Sequence, residues 1–305
     1  MMNSFRDIIG KARQGGTKRV VVPCPVVADL PLLAEAAGAG LMVPCFVGDG
    51  KTLQTLVKSS TLTSGTYEFL KEDDPKQILK RALSAIHSGA GDILMQGGVS
   101  SGELLDALRD EENGMVPKGD TMSYVSVFSL LKREKLVLVT DTFINNSPTL
   151  VEKQRILSNA LKLASVLGFD TPKTAVLAAI EQVNPGIPST LDAAILSKMG
   201  ERRQFGKAVV EGPLDIDCAL SQVAAERKGL HSAVTGNVDI YLVPEVDTGL
   251  LLAEALVFFG RMQSAGVIMG TAEPVIMNLP IVSAENRMVE IALACLRGGK
   301  GGSHG

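Results

Sequence analysis

Short apolar runs alternate with stretches of helical spacing along almost the whole chain, and this alternation limits the possible folds more than any other feature. Residues 19–22 form a β-branched run ending at Pro23, 32–37 read as helix, and 43–47 form another run closed by Gly48-Asp49-Gly50. Residues 75–87 place Ile78, Leu79, Ala82, Leu83 and Ile86 on one helical face. A strand over 92–95 precedes Gly97-Gly98 and a helix over 103–109. Further strands are expected over 174–180, 207–210, 238–243 and 267–269. Helices are expected over 149–168, 189–200, 215–226 and 249–259, with a last one capped by Ser283 and reaching Arg297. Thr149 and Glu152 have the spacing of a capping box, in which the threonine hydroxyl meets the Glu152 amide. Strands separated by helices imply a mostly parallel sheet with helices on its faces, an α/β fold. The runs 123–128 and 135–139 depart from this. Only the charged turn Lys132-Arg133-Glu134 separates them, so they read as an antiparallel pair.

The 305 residues are 46% apolar, enough for one large or two medium domains with sizeable cores. Aromatic residues are 4% and Trp is absent, so those cores must be aliphatic. A formal net charge of -3 with no Lys/Arg block argues against a nucleic-acid partner. No apolar stretch reaches bilayer length, so no membrane span is expected. The first 16 residues carry Arg6, Asp7, Lys11 and Arg13 in place of the apolar core of a secretory signal. The four cysteines are scattered without a C-x-x-C pair, which fits a reducing, cytoplasmic setting and gives no zinc motif. Residues 113–121 are the best linker candidate. Residues 298–305 read as a loose tail in which His304 has no role.

Chemistry in parallel sheets gathers in the loops that follow the carboxyl ends of strands. In the loop 96–102, Ser100 and Ser101 stand at a helix start, where free amides suit an anion. The loop 140–148 concentrates Asp141, Asn145, Asn146 and Ser147, which serve either turn chemistry or a site. Ser197-Lys198 lies near a helix end, where a lysine either complements the dipole or meets a phosphate. The loops 211–217 and 244–249 bring Asp215, Asp217, Glu245 and Asp247, each equally suited to a helix start. His87 and His231 are isolated and make no triad.

Five stretches together resemble the phosphate acetyltransferase/phosphate butyryltransferase family, and are nearer its butyryl branch. They are VTDTFINNSPTLVEKQRIL (139–157), KTAVLAAIEQVNPGIPSTLDAAILSKM (173–199), VVEGPLDIDCALS (209–221), VTGNVDIYLVPEVDTGLLLAEALVFFG (234–260) and AGVIMGTAEPVIM (265–277). The resemblance implies a two-domain α/β fold like that of the isocitrate/isopropylmalate dehydrogenases, with the active cleft between domains. The expected domains are residues 1–120 with 257–305, and 121–256, the second mediating a homodimer. The implied reaction converts acyl-CoA and phosphate to acyl phosphate and coenzyme A. Coenzyme A is a substrate, and no resident cofactor or metal is implied.

By the same resemblance, Ser197 and Lys198 would hold phosphate, and Asn145 and Asn146 would donate hydrogen bonds to the reacting groups. Ser100 and Ser101 would bind an anionic group, and Lys118 would offer charge where the family carries an arginine. Asn278, Ser283 and Glu285 would line the thioester region, with Glu285 as an orienting acid. A gapless match from Pro274 places Leu279-Pro280 where the family has a Ser-Arg pair. That departure keeps open a homologue that binds CoA or another metabolite with weakened or lost chemistry. A metal-dependent hydroxyacid dehydrogenase on the same fold would instead need Asp215, Asp217, Asp239 and Asp247 to converge.

Overall fold

The computed structural model describes residues 1–58, 60–63, 65–130 and 134–298. Lys132 and Arg133 of the expected turn, and the tail with His304, lie outside the described residues. The chain divides into two compact units. The first comprises Phe5–Asp120 and Ala265–Gly305, the second Met1–Ser4 and Thr121–Ser264.

The first unit opens with α1 (Phe5–Ala12), β1 (Lys18–Pro23), α2 (Leu30–Gly38), β2 (Met42–Gly48) and α3 (Gly50–Lys58). It continues through β3 (Glu68–Lys71), α4 (Ile78–His87), β4 (Ile93–Met95) and α5 (Ser101–Arg109). The second unit holds β5 (Ser123–Leu130), β6 (Lys135–Thr140), α6 (Leu150–Val166), β7 (Lys173–Leu177) and α7 (Pro188–Glu201). It ends with β8 (Val209–Leu214), α8 (Ile216–Leu220), α9 (Gln222–Arg227), β9 (Ile240–Leu242) and α10 (Val246–Phe258). The chain then returns through β10 (Gln263–Met269), β11 (Val275–Ile276) and α11 (Arg287–Arg297).

Strand order in the first unit is β3-β2-β1-β4-β11-β10. Its pairs are parallel except β10 with β11. In the second unit the order is β5-β6-β9-β7-β8. There β5 and β6 pair antiparallel, Val127 opposite Leu138, and the other strands are parallel. The mostly parallel sheet flanked by helices is therefore present. Strands covered on both faces must be apolar throughout, and Val20, Val21, Val22, Ile93, Leu94 and Met95 are all completely buried.

Local side-chain chemistry sets three helix starts, those of α5, α6 and α9. Thr149 accepts from the Glu152 amide while the Glu152 carboxylate accepts from the Thr149 N–H, completing the expected capping box. Ser100 and Glu103 build a second one at α5. Several ends differ from the sequence reading: α4 starts at Ile78 and β7 ends at Leu177, and three helices differ in how they begin. The helix expected over 215–226 is broken at Ser221, whose extended backbone lets its hydroxyl accept from the Ala224 amide and start α9. Helix α10 starts at Val246, directly after the extended Glu245. Ser283 makes no side-chain cap. It precedes a 3-10 turn over Ala284–Asn286, so α11 begins at Arg287. The periodicity also passed over α3 and β3, the second being a short edge strand with mostly exposed side chains.

Candidate active site

In the second unit, β6 ends at Thr140 and delivers Asp141 to the carboxyl edge of the parallel strands. Asp141 is completely enclosed, and its carboxylate gathers the loop around it. Oδ1 accepts from the backbone amides of Tyr124 at 3.1 Å, Phe143 at 3.0 Å and Ile144 at 3.1 Å. Oδ2 accepts from the Asn145 amide at 3.0 Å and from the Asn145 side chain. Burial pushes the Asp141 carboxyl upward, and the hydrogen bonds from Phe143, Ile144, Asn145 and Tyr124 pull against it.

Asn145 Nδ2 also donates to the Met122 carbonyl at 2.8 Å. Both of its side-chain N–H groups are thus engaged, and the group it can turn outward is the acceptor Oδ1. The sequence reading made Asn145 a donor to the reacting groups; its geometry makes it a brace of the loop. Asn146 is exposed beside it, and its carbonyl accepts from the Val246 amide at 3.1 Å.

Ser197 and Lys198 lie elsewhere. Helix α7 starts beyond the carboxyl end of β7 and runs back along the sheet. Ser197 Oγ donates to the Val210 carbonyl at 3.2 Å, and Val210 pairs with Thr174 near the start of β7. That places both residues toward the amino edge of the strands, away from Asn145 and Asn146. Lys198 is exposed and pairs with Glu201, three residues on along its own helix. The structure does not bring this pair to the loop after β6.

The carboxyl edge instead carries a cation that the sequence reading passed over. Lys153 Nζ lies 2.7 Å from Asp192 Oδ2, and the lysine side chain is 9% exposed. Both line a cavity of about 930 Å³ together with Ser147, Ser189, Glu245 and Thr248. A lysine this close to a helix start opposes the dipole, and that was the available signal.

The aspartates considered for a metal do not converge. Asp239 precedes β9 and pairs with Lys135 at 2.8 Å, whereas Asp215 and Asp217 follow β8. Between these two lies the Lys228 ammonium, bound to Asp215 and 2.9 Å from Asp217. Hydrogen bonding from Lys228 holds the Asp217 carboxyl down to about 2. Among the described residues, the one grouping with metal-ligand proximity is Asp215, Asp217 and Cys218. Burial pushes the Cys218 thiol up to about 12, so this set suits an internal ammonium better than a cation from solution.

In the first unit, β1, β4 and β11 exit side by side. Gly97 and Gly98 lie against the backbone of Pro23 and Cys24, and a Cβ on Gly97 would fall 2.0 Å from the Pro23 carbonyl oxygen. Cys24 itself adopts φ 47°, a strained value for a residue with a side chain. Gln96 donates to the Val99 carbonyl at 2.8 Å and to Ser101 Oγ at 3.4 Å. Its own side-chain oxygen accepts from the Asn278 amide at 2.9 Å. Asn278 Nδ2 donates to the Gln96 carbonyl at 3.1 Å, and Asn278 Oδ1 accepts from Arg287. Arg287 donates in turn to Asp29 Oδ1 at 2.6 Å.

Ser101, Gln96, Asn278, Arg287 and Asp29 therefore form one connected set. The sequence reading reached Ser101 and Asn278 but passed over Gln96, Arg287 and Asp29, which sit on separate segments. Ser100 is engaged as a cap, with its hydroxyl on Glu103 at 2.7 Å. Ser283, Glu285 and Lys118 are exposed on turns of the same unit. Leu279 is buried and Pro280 is exposed.

None of the cysteines is poised as a nucleophile. Burial raises the Cys24 thiol, with Glu103 adding to it, and lifts Cys45 to about 11 and Cys295 to about 12.

Residues 41–295 match the protein family described as "Phosphate acetyl/butaryl transferase". The chain is 35% identical over 302 residues to a phosphate butyryltransferase of Clostridium acetobutylicum, covering 98% of this chain and 99% of that protein. It is 36% identical over 294 residues to a probable phosphate butyryltransferase of Bacillus subtilis, covering 95% and 96%. A branched-chain phosphotransacylase from Enterococcus faecalis superposes with a TM-score of 0.78 at 26% identity, covering 92% of this chain and 99% of that one.

Proposed function

This chain belongs to the phosphate acetyl/butyryl transferase family, and from that premise we propose that it transfers a short acyl group from coenzyme A to inorganic phosphate. The observation that carries the reading is the near end-to-end match to phosphate butyryltransferases. In the reaction a phosphate oxygen attacks the thioester carbonyl carbon. The oxyanion then collapses, the C–S bond breaks, and the sulfur leaves as thiolate and takes up a proton. The demands are to hold an anion in line and to meet developing negative charge with fixed donors.

Three features support the reading. Ser101 stands at the α5 start, where first-turn backbone N–H groups outside the Ser100–Glu103 capping box suit an anion. Exposed Asn146 and the Lys153 ammonium stand at the carboxyl edge of the second unit's strands. Exposed Lys118, Ser283 and Glu285 add charge and hydroxyl groups on turns of the first unit, with Glu285 as the orienting acid. The raised thiols favour direct attack by phosphate over an acyl-cysteine intermediate. Coenzyme A enters as a substrate, and the chemistry calls for no resident cofactor or metal.

We also read the units as the two domains of an isocitrate/isopropylmalate dehydrogenase-like fold, and the protein as a cytoplasmic homodimer. Exposed Leu220, Val223, Leu251 and Phe258 on α8 to α10, with Phe259 just beyond α10, support a self-association face. Among the described residues, no helix is long and apolar enough to cross a membrane.

Thiol release from butyryl-, propionyl- and acetyl-CoA, measured with and without phosphate, tests the reading. Phosphate-dependent release is the expected result, and its absence with every substrate contradicts it. The replacement at Leu279-Pro280 favours a second reading, a relative with weakened chemistry. A slow rate that rises on Leu279→Ser/Pro280→Arg would identify that case.

A further inference from the structure

We propose that Arg287 supplies the first unit's cation for a phosphate oxyanion of the substrates, held in place by Asp29 and Asn278. The inference rests on the acyltransferase reading above and assigns a residue to it. A chain with Leu279 and Pro280 after β11 has neither hydroxyl nor charge at those positions. Arg287 is the first residue of α11, and its guanidinium reaches back to Asn278, the residue immediately before Leu279. Through Asn278 and Gln96 it is tied to the exits of β11 and β4, and through Asp29 to the segment that follows β1.

The arrangement is unfinished as a purely structural ion pair. The Asp29 side chain is 3% exposed, yet its Oδ2 is buried with no hydrogen-bond partner among the described residues, and so is Arg287 Nε. A buried ion pair contributes net stability only when its remaining donors and acceptors are met. Here they are not. A guanidinium carries five N–H donors, and the two bonds to Asp29 and Asn278 leave others unused. The Arg287 side chain is 18% exposed, so it opens outward on one side while Asp29 stays enclosed. Arg287 Nε is buried, so only the second hydrogens of the two terminal nitrogens, on the partly exposed side of the group, are left for a tetrahedral oxyanion, with the fork fixed by a carboxylate and an amide. The same chemistry serves inorganic phosphate and the phosphates of coenzyme A.

Removing Arg287 alone strands a buried carboxylate, so the informative protein is the double variant Arg287→Met/Asp29→Asn, which removes both charges. It should melt close to wild type and lose about a hundredfold in kcat/KM for butyryl-CoA and phosphate. A rise confined to the KM for phosphate assigns inorganic phosphate, and one confined to butyryl-CoA assigns the coenzyme's phosphates. Adding Leu279→Ser/Pro280→Arg should raise the double variant by a larger factor than it raises the wild type, which a packing role for Arg287 would not permit. If the double variant does not fold, Arg287→Lys replaces it. That variant keeps the charge but loses the fork, and it should raise one KM severalfold while melting normally. An active wild type whose folded variants keep its kinetic constants overturns this inference alone. A wild type without phosphate-dependent thiol release overturns the functional reading and this inference with it.

Discussion

The strand exits of the two units use polar groups in opposite ways. Beyond β6, the Asp141 carboxylate is saturated by four backbone amides and the Asn145 side chain, and the polar loop is spent on holding its own shape. Beyond β4 and β11, the set from Gln96 to Asp29 leaves a carboxylate oxygen and a guanidinium N–H buried without partners. A polar cluster that closes on itself builds a scaffold, whereas one left open has capacity for something else. Loop composition alone does not distinguish the two, because both carry side-chain amides and serines: Asn145, Asn146 and Ser147 in one, Gln96, Ser100, Ser101 and Asn278 in the other.

The contrast can be broken most sharply at Asp141. Asp141→Leu orphans the four amides, and a loss of about 3–5 kcal/mol is expected, of the size seen when a buried charged network loses one member. Urea unfolding measures it. Asn278→Ala in the open set should cost only about 1–2 kcal/mol, with a proportionally larger fall in kcat/KM. Equal stability losses at the two sites would erase the distinction.

Gly97→Ala comes next. Its Cβ would meet the Pro23 and Cys24 carbonyl oxygens at 2.0 and 2.9 Å, and about 1–3 kcal/mol of overpacking is expected from thermal melts. For the Lys153–Asp192 pair, Lys153→Met alone should destabilise more than Lys153→Met/Asp192→Leu, since the single change leaves a partly buried carboxylate unpaired. A double-mutant cycle reads that difference.

The smallest effect belongs to the cap of α6. Thr149→Ala should cost about 1 kcal/mol near neutral pH. Hydrogen bonds from Thr149 hold the Glu152 carboxyl below its ordinary value. The contribution is therefore complete above the unfolded glutamate value of about 4.3 and is lost as pH falls through the lower folded value. Urea midpoints of wild type and Thr149→Ala should draw closer in acid, the gap that remains being the bond from the Glu152 amide to the Thr149 hydroxyl. Parallel curves would contradict this account of the cap.

Much of the fold was legible because its signals are local. The β-branched runs, the capping box at Thr149 and the antiparallel pair at 123–139 each depend on neighbours a few residues apart. The break at Ser221 was missed because one serine hydroxyl outweighed an otherwise helical pattern. At the site, the loops were legible and the roles of their residues were not. Asn145 became a brace only because Met122 and Asp141 lie against it, and Ser197-Lys198 left the loop region because α7 reverses direction. Arg287 and Asp29 are separated by most of the chain, and no spacing rule joins them.

Direct detection of the product tests the central claim. Enzyme, butyryl-CoA and phosphate are incubated with hydroxylamine, which captures an acyl phosphate as the hydroxamate. Butyryl hydroxamate that requires both enzyme and phosphate is the result this account predicts. Hydroxamate that forms equally well without phosphate, or none at all while butyryl-CoA is consumed, would contradict it.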